Sequence, residues 1–512
     1  MTFVFAVMLC GAQTATLKWG KPFSRNLLKG SFRLLSLDEN GMAVLSMAPS
    51  MTPFVTDLAV VKFDANLNYT TTTKIPLKDG DKALQYEFIV RMKEQVLVFS
   101  SYQDRKAGKT TLYYQPFDMD SKTLSGKAVS LLEMPIDKKP IPAVGSFDYV
   151  LSRDSSKLAL IYNPPSVGSD MEKFGCAVMD KDLKVLYSRV QQFPFTDRNF
   201  TYSAAAVSGS GVLYMCGPVT TGHKKPFSRE SNYVYTIFRI DPGSETASEV
   251  KADYKGVFVT DMQLACDASD NLVAGGFYSE KGTYSIKGCY FIALDGNDGT
   301  ELRSSIKEFP ISLITAGMTD KQAERTQDKA AKGKNIEMEK YYLDDLVLRT
   351  DGGFYLVAEQ NYSVTTYTTN SNGSTSEHTT YYGKSIIVVG VNGEGTIDVT
   401  QKILKAQKSS DPAPIGYVMS RRGDHLFFVF TDNALNNAPN PPKTNWASYG
   451  KSGVVTIVDM DPQGNIKRKN MYTMEKNNFY PIPYMSRELP DGRMIMVTLG
   501  GMKFKMLLAD PE

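Results

Sequence analysis

The sequence has few of the residues on which metal and nucleophilic chemistry depend. Its 512 residues include 3 His, 2 Trp and 5 Cys. His223, His378 and His425 stand far apart, and none has a Cys, an Asp or another His at ligand spacing, so no zinc site is expected. No P-loop, GxSxG or HExxH motif occurs, and no GxGxxG lies between a strand and a helix. Acid clusters at Asp295–Gly299 and Asp459–Asp461 lack the D-x-[DN]-x-[DN]-G spacing and the distal Glu of a calcium loop, and read as turns. Neither a metal nor a cofactor is expected.

Excess charge of one sign is also missing. The 58 Lys and Arg nearly balance the 55 Asp and Glu, which leaves no basic field for nucleic acid and no acidic tail. No apolar run is long enough to cross a bilayer. The short run Thr2–Leu9, followed by small residues, reads as residues 1–12 of a signal peptide cleaved after Ala12, although its start lacks Lys and Arg. Lipidation at Cys10 is disfavoured, because bulky Leu9 sits where a small residue is required. The expected setting is therefore periplasm, cell surface or extracellular space. Cys176, Cys216, Cys266 and Cys289 then remain; two disulfides are permitted, in three connectivities, but buried core thiols are the favoured reading.

What is abundant is β-forming: 28 Tyr and 26 Phe, with many Val, Ile and Thr. One unit recurs, an apolar-alternating strand, a tight turn rich in Asp, Asn, Ser or Gly, and a second apolar strand. Instances begin at Ser31, Glu87, Asp148, Thr201, Asp261, Asp344, Gly416 and Tyr484. Between them lies a second, more polar hairpin, as in the stretches from Leu58, Cys176, Tyr290, Ile386 and Val454. The two units together give the four-stranded sheet of a propeller blade.

The expectation is all-β: one β-propeller over residues 13–512, of eight four-stranded blades, with seven as the alternative. The last hairpin is followed by a single strand from Met502, so its sheet lacks an outer strand. The amphipathic segment Thr16–Phe23 is the expected filler, which would close the ring and remove two open edges.

Three long insertions are expected on one face, at 311–342, 361–384 and 433–451. The first reads as a helix or charged lid, the second as a Thr-, Ser- and Tyr-rich extension, and the third carries Trp446. Tyr362, Tyr367, Tyr381, Tyr382 and Trp446 are the candidate platform, with Asn436, Asn437 and Asn440 as candidate hydrogen-bonding groups. Rings beside amides suit a glycan or a peptide segment. The leading functional expectation is a non-enzymatic protein that binds a protein or glycan partner through this face. The alternatives are a polysaccharide hydrolase or lyase using inner-strand acids such as Asp261, Asp344 and Asp345, and a structural component of a cell envelope.

The stretch Ser385–Asn436 contains Lys402-Ile403-Leu404-Lys405-Ala406-Gln407 and Phe430-Thr431-Asp432-Asn433. It resembles a group of exported proteins of Bacteroidota that share a K-I-x-K-x-Q segment and an F-x-D-N strand end. The resemblance covers about a tenth of the chain. It implies an exported propeller-like fold and a bacterial envelope setting, and carries over no activity.

Overall fold

The computed structural model describes residues 15–49, 56–136, 146–164, 171–196, 199–220, 222, 232–250, 254, 256–280, 282, 284–339, 341–369, 373–438 and 444–511. The expected signal peptide, Cys10, His223 and Asn440 lie outside them.

The chain is mostly β and folds as a succession of antiparallel meanders, which we number as sheets 1 to 8. Sheet 1 is Ser31–Asp38, Gly41–Pro49, Thr56–Asp64 and Tyr69–Ile75. Sheets 2 to 5 begin at the strands Gln85–Met92, Ser146–Leu151, Ala204–Val207 and Phe258–Cys266. Sheet 6 is Tyr342–Leu348, Phe354–Thr369, Thr375–Val391 and Ile397–Ile403, and sheet 7 is Val418–Arg422, His425–Asn433, Gly453–Met460 and Ile466–Thr473. Each hairpin expected from the repeat supplies the first strands of a different sheet.

Sheet 8 is assembled from both ends of the chain. Met494–Gly500 pairs with Lys503–Pro511, whose other edge pairs with Ala15–Trp19 in the register Ala15 to Pro511 through Trp19 to Leu507. Phe23–Ser24 continues along the same strand opposite Phe504 and Lys503. The edge is therefore occupied by the segment that its amphipathic pattern singled out.

Short Asp-led turns join the outer strands for a local reason. Asp461 Oδ1 accepts from the backbone N–H of Gln463 and Asn465 at 3.0 and 2.8 Å, and Gly464 takes a φ of 83°, open to glycine without strain. Asp295 Oδ1 likewise accepts from Asn297 N–H at 2.7 Å. Asp295 and Asp461 thus spend their carboxylates on their own turns, Asp459 pairs with His425 at 2.9 Å, and no metal-holding cluster occurs among the described residues.

The core lies between sheets. Apolar clusters join each sheet to the next, from Val98 and Leu45 between sheets 1 and 2 to Phe427 and Met496 between sheets 7 and 8. A further cluster, with Phe23, Phe504 and Met506 on one side and Phe32, Val44 and Phe63 on the other, joins sheet 8 to sheet 1. Cys176, Cys216, Cys266 and Cys289 are buried free thiols in such clusters, and burial raises the pKa of each. No helix of the described residues is long and apolar enough to cross a membrane.

Insertion 311–342 folds as helices α1, Ile311–Thr315, and α2, Asp320–Ala331. Thr319 and Gln322 form a capping box at the start of α2. Leu313 and Ile314 of α1 pack into the cluster between sheets 5 and 6.

Candidate functional site

The second and third strands of sheet 6 run to 16 and 17 residues. Beyond Glu359 they leave the sheet as a ribbon, joined along Tyr381–Gly383 by the short strand Gln407–Ser409 and two-stranded beyond it. Alternation puts every second residue on one side. Tyr362 therefore meets its cross-strand partner Tyr382, and the rings stack with centroids 4.9 Å apart at 15°. Lys384, two residues on, holds its Nζ 5.2 Å from the Tyr362 centroid, and Lys408 holds its Nζ 5.9 Å from that of Tyr382.

Trp446 completes the group from sheet 7, edge-on to Tyr382 with centroids 5.9 Å apart, and remains 47% exposed. Its loop is held by buried polar chemistry. Asp432, fully buried, accepts from Arg468 Nη2, from Asn436 Nδ2 at 2.7 Å and from Thr456 Oγ1 at 3.2 Å. Asn436 in turn accepts from Asn445 N–H at 2.7 Å, Asn433 Nδ2 donates to the Trp446 carbonyl at 3.0 Å, and Ala447 N–H donates to the Ala406 carbonyl at 2.7 Å. The tryptophan is thus anchored through its own backbone.

The expected platform is therefore assembled in part. Tyr362, Tyr382 and Trp446 come together. Tyr381 lies opposite Ser363 and Ser409 and, as Tyr382's neighbour, points to the other side of the ribbon. Tyr367 stands farther out, 69% exposed and opposite Glu377. Asn436 is buried and Asn437 donates to Thr456 Oγ1 at 2.9 Å, so both amides face inward rather than toward a ligand. The two lysines were not foreseen; their signal was the spacing, Lys384 two residues after Tyr382 and Lys408 directly across from it.

The K-I-x-K-x-Q segment braces the same region. Lys405, fully buried, donates to Glu359 Oε1 and, at 2.9 Å, to Gln407 Oε1. Gln407 Nε2 donates to the Thr431 carbonyl at 3.2 Å and its Oε1 also accepts from Gly416 N–H at 2.8 Å. Lys402 donates to the Ala316 carbonyl just after α1 at 3.0 Å, and burial lowers its pKa to about 8.

The inner strands carry a second polar region. A cavity of about 1060 Å³ is lined by the first strands and turns of sheets 3 to 8. Asp345, Arg421 and Glu488 lie in its wall, and Glu488 Oε1 accepts from Arg421 N–H at 2.7 Å. Asp345 and Glu488 are exposed to the cavity yet have protein around most of their carboxyls, and this partial burial raises both pKa values. Asp344 is absent from that lining. It accepts from the Tyr417 hydroxyl at 2.7 Å, and burial pushes it up to about 7. Asp261 accepts from the N–H groups of Met262 and Leu343 at 2.9 and 3.2 Å. The acids that share the cavity wall with Asp345 are thus Glu488, which its place on a short inner strand could have suggested, and Asp491 of the following turn, paired with Arg493.

No family model and no curated protein matches the chain. Among solved structures it is similar to the WD40 domain of SCAP from fission yeast, at 11% identity and a TM-score of 0.40, covering 97% of this chain and 95% of that one. It is also similar to the β-propeller domain of the Trilobed protease from Pyrococcus furiosus, at 10% identity and a TM-score of 0.35, covering 92% and 97%. A third is an α-L-arabinofuranosidase from Fusarium graminearum, at 12% identity and a TM-score of 0.32, covering 76% and 97%.

Proposed function

We propose that the protein is an exported, eight-bladed β-propeller, closed by Ala15–Trp19, that binds a protein or glycan partner through Tyr362, Tyr382 and Trp446. Two observations support the ring: apolar clusters run from each sheet to the next and from sheet 8 back to sheet 1, and the first strands of six sheets share one cavity. The export reading rests on residues 1–12.

The observation that carries the binding reading is the contact of three rings across two sheets, with a lysine over each tyrosine. Flat rings take the C–H face of a sugar or the edge of a peptide, and the ammonium groups favour a partner bearing carboxylate or sulfate. An acidic glycan is the partner these five side chains suit best. A glycan array probed with the whole chain tests this. Tyr382→Ala and Trp446→Ala, and deletion of 363–380, should each lower the signal at least tenfold while the melting transition persists; unchanged binding rejects the reading.

The hydrolase reading draws on one observation, that Asp345 and Glu488 line a single cavity. Incubation with a polysaccharide panel, with Asp345→Asn and Glu488→Gln as controls, tests it, and absence of turnover on every substrate retires it.

A further inference from the structure

The axial cavity has two unlike walls. Sheets 3 to 5 contribute Val150, Leu151, Ala205, Leu264 and Ala265, a small apolar surface. Sheets 6 to 8 contribute charge. Much of that charge is already used: Arg349 pairs with Asp398 at 2.9 Å and with Asp351 at 3.0 Å, Arg422 with Asp510 at 2.6 Å, and Asp491 with Arg493 at 2.7 Å. Asp345, Glu488, Arg421 and, across the cavity on sheet 3, Arg153 form no ion pair among the described residues. Arg421 spends its backbone N–H on Glu488 and one guanidinium N–H on the Leu348 carbonyl at 3.1 Å. Arg349, only 8% exposed and in the same wall, keeps an Nε with no hydrogen-bond partner.

Charges of both signs left open around an apolar wall call for a ligand that carries both signs and an apolar body. A volume near 1060 Å³ lies just above the range of small-ligand sites, about 300–1000 Å³, and exceeds what one amino acid fills. We propose that this cavity is a binding site for a short peptide with free termini and apolar side chains, its ammonium held by Asp345 and Glu488 and its carboxylate by Arg153. The apolar side chains lie against Val150, Ala205 and Leu264. The hairpin turns that end the inner strands, including Arg153, Gly423 and Asp491, rim the cavity. They lie at the opposite end of the sheets from the ribbon and Trp446, so this site is separate from the aromatic platform.

Proton linkage offers a second readout. Burial raises the pKa values of Asp345 and Glu488 from their ordinary values; Arg421 pulls both down, and Asp345 pushes Glu488 up. A bound ammonium favours their ionised forms, so binding at mildly acid pH releases protons.

Titration calorimetry on the full chain, with Leu-Ala-Leu, its N-acetyl form and its C-terminal amide, tests the site. The free tripeptide should bind, and acetylation and amidation should each weaken it at least tenfold. Glu488→Gln and Asp345→Asn should cost tenfold with the free peptide and erase the penalty for acetylation, and Arg153→Ala should erase that for amidation. Buffers of different ionisation enthalpy at pH 5.5 should report proton release in the unaltered chain and less in Glu488→Gln. Thermal melts verify that each variant is folded. No binding of any form at millimolar concentration, or equal binding of all three, overturns the proposal and leaves the cavity as a solvent channel.

Discussion

Two seams of this molecule are built in opposite ways. Where sheet 8 meets sheet 1, the contact is apolar throughout its centre: the Phe23 ring lies 5.4 Å from that of Phe63 and 6.1 Å from that of Phe504. Where sheet 6 meets sheet 7, Tyr355, Val357, Phe428 and Phe430 share the space with two ion pairs, Lys405–Glu359 within sheet 6 and Arg468–Asp432 within sheet 7, and hydrogen bonds cross the seam from Gln407 Nε2 to the Thr431 carbonyl and from Arg468 Nη1 to the Leu404 carbonyl. Apolar contact rewards area and tolerates some shift of one sheet on the other. A buried ion pair contributes little net stability, but one whose members or neighbours also bond across the seam, as Arg468 and Gln407 do, permits one geometry and penalises others. The polar seam is the one from which the aromatic platform is hung, so position rather than strength is what it supplies.

The largest expected effect breaks the apolar seam. Removing residues 15–24 takes away the outer strand of sheet 8 together with Phe23, and bares the edge of Lys503–Pro511. Burial of one large apolar side chain stabilises by about 1.5–3 kcal/mol, so the lost strand should cost several times a single contact. Chemical denaturation should show a much lower midpoint, with aggregation through the bared edge. An unchanged midpoint would mean that the fold does not depend on this strand.

Next in size is the polar seam. Lys405→Met leaves the Glu359 carboxylate buried without its cation, which should cost about 3–5 kcal/mol in urea unfolding. Adding Glu359→Leu should recover most of the loss while loosening Trp446. If the single substitution is nearly neutral, the pair is better solvated than its burial implies. Either way, the double variant tells strength from position.

Much of the fold was legible because each sheet repeats the same local chemistry. Apolar alternation marks every hairpin and Asp-, Ser- or Gly-bearing turns mark most of them, and Thr16–Phe23 stood out because the last sheet lacked a strand. The ribbon of sheet 6 and the helical insertion were legible as well, one from its Thr and Tyr, the other from its Lys, Ala and Glu. The site was legible only in part. Alternation can pair Tyr362 with Tyr382 once the register is known, but the chain order does not reveal that register. Asn436 looked like a surface amide because Asn in a loop usually is one; its burial follows from Asp432, whose charge needs donors. Lys405 and Glu359 are 46 residues apart, and no local pattern predicts a long-range ion pair.

A smaller effect sharpens the contrast through pH. Asp344, held by the Tyr417 hydroxyl across the polar seam, has its pKa pushed from an ordinary 3.8 to about 7. The folded state therefore binds more protons than the unfolded chain between about pH 4 and pH 7. Stability should fall as pH rises through that window, and Asp344→Asn should flatten the slope. Melting curves from pH 4.5 to 8 check this; a slope unchanged in the variant would assign the titration to another group.

The smallest effect on stability should come from the residue with the largest role in binding. Trp446 is half exposed, and its ring touches one tyrosine edge-on. What fixes it is its backbone, through Asn433 and its neighbours Asn445 and Ala447. Trp446→Ala should therefore shift stability by no more than about 0.5 kcal/mol, as surface substitutions commonly do. Asn436→Ala should cost about 1–3 kcal/mol, because Asp432 and the Asn445 N–H each lose a buried partner. Both should weaken glycan binding, one by removing the ring and the other by releasing the loop that carries it. Only the second should make the loop accessible to limited proteolysis. If Trp446→Ala instead melts the loop, the ring is part of the anchor, and the division between a seam that positions and a surface that binds does not hold at this residue.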